Sequence, residues 1–233
     1  MSRALVVALA LAACGGAGPA RSPASTPEDR ASDEENLVVA GVELPPLPHG
    51  VRLDRAPLEA GIARALRTGD DERPALPDTA DRAEVDAYVA GPLRTWMLER
   101  GRGLSEARRL LADAEREEAE DGERAVAAAV IGVLYVRLAL ELAELPLPAS
   151  VRSDPALRLG VRNALLEAAS PLFTGAESAF AACAIASVRS TDPSLEPWER
   201  FCDENAVESR EAPRPIDDGS AGERVEAEDG DAG

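Results

Sequence analysis

The sequence predicts an all-α fold, either an irregular helical bundle or a short array of helical hairpins. From Ala56 onward, apolar residues recur at the three- and four-residue spacing of amphipathic helices. Asp-Pro pairs at 154 and 192 each offer an N-cap followed by proline at the first helical position. Because only 3% of the residues are aromatic, the core must be built from Ala, Leu and Val, which favours closely packed helices.

Residues 1–13, "MSRALVVALALAA", have one charged side chain, Arg3, followed by ten apolar residues. A basic residue before a short apolar run is typical of a secretory signal peptide, and the run is shorter than the roughly 20 residues that span a bilayer. The alternative to cleavage after residue 13 is an ordinary signal peptide cut after an Ala-x-Ala site, and "ALA" at 8–10 and at 10–12 both fit. Residues 1–13 are therefore predicted to be a signal peptide.

The four residues "LAAC" at 11–14, followed by Gly15, resemble the lipobox of bacterial lipoproteins. The resemblance implies that signal peptidase II cuts before Cys14, that the sulfur receives a diacylglycerol and that the new amino group is acylated. Two or more acyl chains give stable anchoring, since each buried methylene contributes about 0.8 kcal/mol. The resemblance thus implies a protein of the cell envelope, and glycine rather than aspartate after the cysteine favours the outer membrane.

The next two segments precede the predicted helices. Residues 14–36 are rich in Gly, Pro, Ser and acids without an apolar period, which predicts a lipidated, disordered tether. Residues 37–55 contain a β-branched run followed by prolines. A solitary short strand needs a partner, so we expect an extended segment that lies on the helical body.

The helical domain is predicted over residues 56–207. The first helix is predicted over 56–69, with Pro57 near its first turn, and the second covers the segment before Gly101, with Pro92 as a kink or break. Ser105 is the expected N-cap of a third helix over 106–120. The apolar run 125–136, followed by Arg137, Glu141 and Glu144, predicts a central buried helix, with a membrane span as the alternative.

The Asp-Pro pairs that start the last two helices lie 38 residues apart, a period that favours stacked helical hairpins. Between them, the stretch "AESAFAACAIASVRSTDP" is similar to the second helix of a tetratricopeptide repeat. Ala176, Phe180 and Cys183 fall where that family has small, large and small residues. The alternative is an irregular helical domain without repeats. Residues 208–233 have no apolar period and many acids, and we expect a disordered acidic tail.

The three cysteines divide into one predicted lipid site and one predicted pair. If Cys14 carries lipid, Cys183 and Cys202 remain, and an odd thiol in an oxidising compartment is avoided. In an antiparallel hairpin that turns near Asp192, Cys183 and Cys202 lie at about the same height. We therefore predict a structural disulfide, with two buried free thiols or a metal or redox role as alternatives.

The sequence offers few candidates for catalysis. His49 is the only histidine, in "PPLPHGV", and a loop position is expected rather than a general base. Pairs of acids such as Glu141/Glu144 and Glu196/Glu199 are expected to lie on solvated helix faces. The chain has neither a G-x-S-x-G nor a phosphate-binding glycine loop. We predict no catalytic residue, no metal site and no cofactor.

The function that the sequence favours is that of a membrane-anchored envelope lipoprotein with a helical binding or scaffolding module and no catalytic activity. Its expected partners are membrane lipid through Cys14 and an envelope protein. A formal net charge of -18 argues against binding to nucleic acid. The alternatives are a cell-wall hydrolase with paired carboxylates and a secreted structural protein whose acidic tail binds cations or basic partners.

Overall fold

The computed structural model describes residues 37–70, 73–77, 81–116 and 119–215. Over these residues the predicted all-α fold is confirmed, with only one two-stranded sheet besides the helices. The helices are α1 (Leu58–Asp70), α2 (Arg82–Tyr88), α3 (Arg94–Leu111), α4 (Asp121–Ala143), α5 (Ala149–Arg152), α6 (Pro155–Arg189) and α7 (Glu196–Glu211). The strands are β1 (Val38–Val39) and β2 (Val42–Glu43). The predictions for residues 1–36 and for the tail beyond residue 215 lie outside the described residues.

Helix α4 is the centre of the fold, as its apolar run predicts. Every residue from 125 to 134 is buried, because α1 and α3 pack on α4 and the pair α6 and α7 also packs on it. Both α4 and α6 are long and apolar enough to cross a membrane by length and composition. In α4, 67% of the most apolar stretch is already buried against other helices. Most of the apolar surface of α4 is therefore buried in the core that α4 forms with its neighbouring helices.

Small residues set the spacing between α4 and α6. A Cβ atom at Gly132 would lie 2.8 Å from the Phe180 ring, and one at Gly175 would lie 3.0 Å from the Tyr135 ring. Moving three residues forward on α4 therefore moves the contact five residues back on α6, so the two helices run antiparallel. Glycine at these two positions lets the helices approach closely enough to bury the Phe180 ring fully and the Tyr135 ring in part.

The segment before α1 forms a hairpin rather than an unpaired extended strand. Ala40 and Gly41 both have positive φ, 49° and 81°, and this turn pairs Val39 with Val42. The segment thus provides its own partner strand, which the sequence prediction did not include. It also lies on the helices, since Val39 is fully buried and Trp198 Nε1 donates a hydrogen bond to the Pro46 carbonyl at 2.7 Å.

Helix α3 differs from the prediction at both ends. A π-helical segment, Val89–Leu93, joins α2 to α3 and takes up Pro92 without a break. Ser105 lies inside α3, where its hydroxyl donates to the Gly101 carbonyl at 2.8 Å instead of capping a new helix. The helix continues through Gly103 because α1 packs closely there: a Cβ at Gly103 would meet Thr68 at 2.4 Å. It ends at Leu111, well before residue 120.

Helix α6 is a single helix of 35 residues, so the turn that stacked hairpins require between 155 and 189 is absent. Its buried residues continue at three- and four-residue spacing on both sides of Pro171, so packing is uninterrupted across the proline. These residues are Leu166, Ala169, Phe173, Ala176, Phe180 and Cys183. The Asp154 cap is confirmed, with its carboxylate accepting from the amides of Ala156 and Leu157.

Helix α7 extends to Glu211, three residues beyond the predicted start of the tail at 208. Two contacts hold this last turn. Ser209 is buried and donates to the Asn205 carbonyl at 2.7 Å, and Arg210 Nε lies 2.8 Å from Glu177 Oε1 of α6. The acidic residues that led to the prediction of a tail here, Glu208 and Glu211, lie on the solvent-facing side of the helix.

Candidate functional site

A trough of about 570 Å³ lies between α4, α6 and the C-terminal end of α3. We call it the arginine trough, because Arg108, Arg124 and Arg189 stand around it. Its floor is apolar and consists of small or β-branched side chains. These are Ala128, Ile131, Ala179, Ala182, Ile185 and Ala186. Both volume and composition fall in the range of ligand-binding clefts.

Helical periodicity produces the trough. Arg124, Ala128, Ile131 and Tyr135 follow one another on α4 at intervals of four, three and four residues, so they line one face over about 16 Å. The matching stripe on α6 begins at Gly175 and ends at Arg189, over about 21 Å. Because α4 and α6 are antiparallel, Tyr135 and Gly175 mark one end of the trough. Arg124 and Arg189 mark the other.

The two ends differ in charge. At the Tyr135 end, Arg108 Nη1 donates to the Tyr135 hydroxyl at 3.4 Å, and Glu115 is the carboxylate of the described lining. Desolvation raises the pKa of the Glu115 carboxyl, and the positive charge of Arg108 partly opposes this. At the other end, Arg124 pairs with Asp121, while Arg189 lies in the last turn of α6, where the helix dipole favours a cation.

A second, polar groove of about 320 Å³ continues from the Arg124 end, and Arg124 lines both cavities. We call it the polar annex. Acidic side chains dominate its wall, and Ser190 contributes a hydroxyl. The acids are Glu120, Asp121 and Asp192.

His49 stands on the wall of the polar annex. Its side chain is 80% exposed, and its Nδ1 lies 3.3 Å from Asp192 Oδ1. Its backbone amide donates to Ser194 Oγ at 2.9 Å. Asp192 itself accepts the Ser194 amide, and this hydrogen bond, followed by smaller contributions that include His49, lowers the pKa of the Asp192 carboxyl. The arrangement joins the N-terminal segment to the turn before α7.

Cys183 and Cys202 are joined in a disulfide with an S–S distance of 2.00 Å and a Cα–Cα distance of 5.9 Å. Both side chains are fully buried between α6 and α7. The rings of Phe180 and Phe201 pack edge to face beside them, with centroids 6.0 Å apart. The bond lies on the face of α6 that packs on α7, and neither cysteine lines the arginine trough.

One of the acid pairs expected on the surface is instead part of a buried ion pair. Glu141 accepts from Arg100 Nη2 with both carboxylate oxygens, at 2.6 and 2.7 Å, and from Arg137 Nε at 2.8 Å. Arg100 is only 3% exposed and lies 5.6 Å above the Trp96 ring. The expectation of a solvated face is therefore wrong for Glu141. It holds for Glu144 and for Glu196, which are exposed.

Neither a metal site nor a carboxylate pair stands out at the trough. Over the described parts of the chain, no group of three His, Cys, Asp or Glu side chains is arranged to hold a metal ion. Among the described residues that line the trough, Glu115 is the one carboxylate. A glycosidase needs two acids across its cleft. What the lining provides is an apolar floor and three guanidinium groups.

Cys14, the predicted lipid attachment site, lies outside the described residues. The other two predicted site residues, Cys183 and Cys202, are brought together by the structure. The trough was not predicted, because its three arginines come from three separate helices, α3, α4 and α6. In comparisons with known proteins, no family model, no curated protein and no solved structure matches the chain.

Proposed function

We propose that this chain is a lipid-anchored protein of the cell envelope whose helical body binds a partner at the arginine trough without catalysing a reaction. The anchor rests on the resemblance of residues 11–15 to a lipobox and on the short apolar run before them. A tethered protein needs no membrane-spanning helix of its own, so α4 and α6 are free to build the helical body.

The observation that carries the binding role is a local reversal of charge. The chain has 43 acidic and 25 basic residues, yet the trough is lined by three arginines and one glutamate. A positive cleft on a strongly negative protein attracts anionic groups and repels cationic ones. The apolar floor adds a second source of affinity, because a ligand that covers it removes apolar surface from water.

The lining favours binding over catalysis. Of the side chains that commonly act as nucleophile or base, the described lining contains Ser178 and Glu115, and histidine is absent from it. Ser178 Oγ already donates to the Thr174 carbonyl at 2.9 Å along its own helix. A cell-wall hydrolase and a secreted structural protein remain the rival proposals, and neither accounts for the clustered arginines.

Photo-crosslinking in producing cells tests the binding role. We expect p-benzoylphenylalanine in place of Ala182, which lines the trough, to form a defined adduct after irradiation. The same probe in place of Gly160, an exposed position earlier on α6, serves as the matched control. The adduct should disappear in an Arg124→Glu/Arg189→Glu background. Identical adducts at both positions, or none at Ala182, would contradict the proposal.

A further inference from the structure

We propose that the N-terminal end of α6 is a second membrane contact of this chain, which lies on the surface of the bilayer that holds the lipid anchor. We call residues 151–162, from the end of α5 into α6, the α6 tip. Its exposed leucines enter the interface of the bilayer, and its arginines bind anionic headgroups. The inference rests on the proposed function only for the identity of the membrane, and the arginine trough has no part in it.

Helix α6 has more apolar surface than the helical body covers. In α6, 39% of the most apolar stretch is buried, against 67% in α4. Among the described residues, eight large apolar side chains are exposed, and half of them belong to α6. Those on α6 are Leu157, Leu159, Ile185 and Val188. Single exposed apolar residues are ordinary on a protein surface, whereas a group of them indicates an interaction or membrane surface.

The α6 tip is exposed all round, whereas the rest of the helix packs with one face on the body. Eight consecutive residues, 153–160, are exposed, and the buried positions of α6 begin only at Leu166. A helix that packs on its neighbours buries every third or fourth residue, so this part of α6 projects past them. Leu157 is 48% exposed, Leu159 is 40% exposed, and Val161 beside them is partly buried. Apolar side chains presented in this way can enter the interface of a bilayer.

The α6 tip is positively charged on a strongly negative chain. It contains Arg152, Arg158, Arg162 and a single acid, Asp154, whereas the whole chain has 43 acidic and 25 basic residues. Arg158 Nη1 donates to the Arg152 carbonyl at 3.3 Å, and Arg162 donates to the Ala143 carbonyl, so these bonds go to neutral oxygens. The Asp154 carboxylate caps α6 by accepting two backbone amides. Arginines beside leucines suit the headgroup region, where the stem stays in apolar surroundings and the guanidinium meets phosphates.

A bilayer suits the α6 tip better than a second copy of the chain does. Two tips in contact would bring like charges together, and two chains with a formal charge of -18 each repel one another. An anionic bilayer attracts the tip and repels the acidic remainder of the chain, which favours one orientation of the helical body. The lipid anchor holds the chain at the bilayer, so the tip needs little affinity of its own.

Tryptophan quenching on tethered protein tests the proposal. The chain from residue 14 to 233 is coupled through the Cys14 thiol to a maleimide phospholipid in vesicles of phosphatidylcholine and phosphatidylglycerol. Cys183 and Cys202 are protected from the maleimide by their disulfide. Phosphatidylcholine with brominated acyl chains is included, because bromine quenches a tryptophan that enters the bilayer. Tethering reproduces the anchor and keeps the acidic chain at the vesicle surface.

We expect the added fluorescence of Leu157→Trp to be quenched by the brominated lipid. The matched control is Leu98→Trp, at a similarly exposed position on α3, and its fluorescence should be unaffected. The native Trp96 and Trp198 are buried, so they contribute a constant background. Both substitutions are at exposed positions and replace one large apolar side chain by another, so neither is expected to change the fold.

The role of the arginines is tested in the Leu157→Trp background. Arg152→Gln/Arg158→Gln should lose most of the quenching, because the tip then has little attraction for anionic headgroups. Arg67→Gln/Arg102→Gln removes two exposed arginines from other helices and should keep the quenching. Undiminished quenching after loss of Arg152 and Arg158 would contradict the role of the arginines.

Two further results would overturn the membrane contact. One is equal quenching at positions 157 and 98, or none at 157. The other is a dimer of the untethered chain in analytical ultracentrifugation that Leu157→Ser/Leu159→Ser abolishes, which would assign the tip to a second copy. Neither result affects the acyl groups on Cys14 or the crosslink from Ala182, so the proposed function would stand if the α6 tip fails.

Discussion

Replacement of Glu141 by alanine is expected to lower the free energy of unfolding by about 3 kcal/mol, because it leaves the Arg100 charge buried without its counter-ion. Arg100 is 3% exposed, and Glu141 satisfies its Nη2 with both carboxylate oxygens. At so little exposure, the Arg100 guanidinium has hardly any solvent contact to offset the lost carboxylate. The pair joins α3 to α4, so its loss weakens the packing between α3 and the central helix.

Urea unfolding monitored by circular dichroism measures this change. Glu196→Ala is the matched control, since Glu196 pairs with Arg200 on α7 with both side chains about 70% exposed, and a loss below about 0.5 kcal/mol is expected there. The double variant Arg100→Met/Glu141→Leu should recover most of the stability, because it removes both charges together. A Glu141→Ala protein as stable as the parent would show that the ion pair does not hold α3 on α4.

Loss of the disulfide is expected to have an effect of similar size. Cys183 and Cys202 are separated by 19 positions, and closing a loop of this length in the unfolded chain stabilises the fold by about 3 kcal/mol in the chain-entropy model. The Cys183→Ala/Cys202→Ala variant should lose about this much in urea unfolding. Because both sulfur atoms are fully buried, part of the loss also comes from reduced packing.

Reduction separates the covalent contribution from the packing contribution. Dithiothreitol should destabilise the parent protein and leave the double alanine variant unchanged. A thiol probe applied to the native protein gives an independent measurement, with no labelling of Cys183 or Cys202 before reduction and two labels after it under unfolding conditions. Labelling of both cysteines before reduction would contradict the pairing.

The features that the sequence predicted correctly depend on local pattern. The apolar run of α4 needs no knowledge of its neighbours, since so many consecutive apolar residues can only be buried or in a membrane. The Asp154 cap was predictable because a carboxylate reaches the amides two and three residues ahead of it. The cysteine pair was predictable because Cys183 and Cys202 lie about equally far in sequence from the turn near Asp192, on opposite sides of it.

The features that were missed depend on contacts between distant residues. Ser105 is a residue type that commonly caps a helix N-terminus. Here α3 continues past it, because Thr68 of α1 packs against Gly103 of α3. Glu141 resembles a surface acid until Arg100, 41 positions earlier, is placed beside it. The hairpin turn needs positive φ at Ala40, a conformation that alanine rarely adopts, so no residue pattern predicted it.

The arginine trough also depends on contacts between residues that are distant in the sequence. Its α4 residues have an ordinary helical spacing, and arginine is the ordinary basic residue of this chain. Arg124 and Arg189 line the same trough only because α4 and α6 pack antiparallel, with close contacts at Gly132 and Gly175. The positive charge of the trough comes from residues on different helices, so it cannot be recognised in any single segment of the sequence.

Mass spectrometry of the N-terminal peptide, from protein isolated out of native membranes, tests the central claim most directly. The proposal of a lipid-anchored envelope protein predicts a mature chain that begins at Cys14, carries a diacylglycerol on the sulfur and an acyl group on the new amine, and lacks residues 1–13. An unmodified N-terminus after Ala10 or Ala12, or a Cys14 without acyl groups, would contradict it.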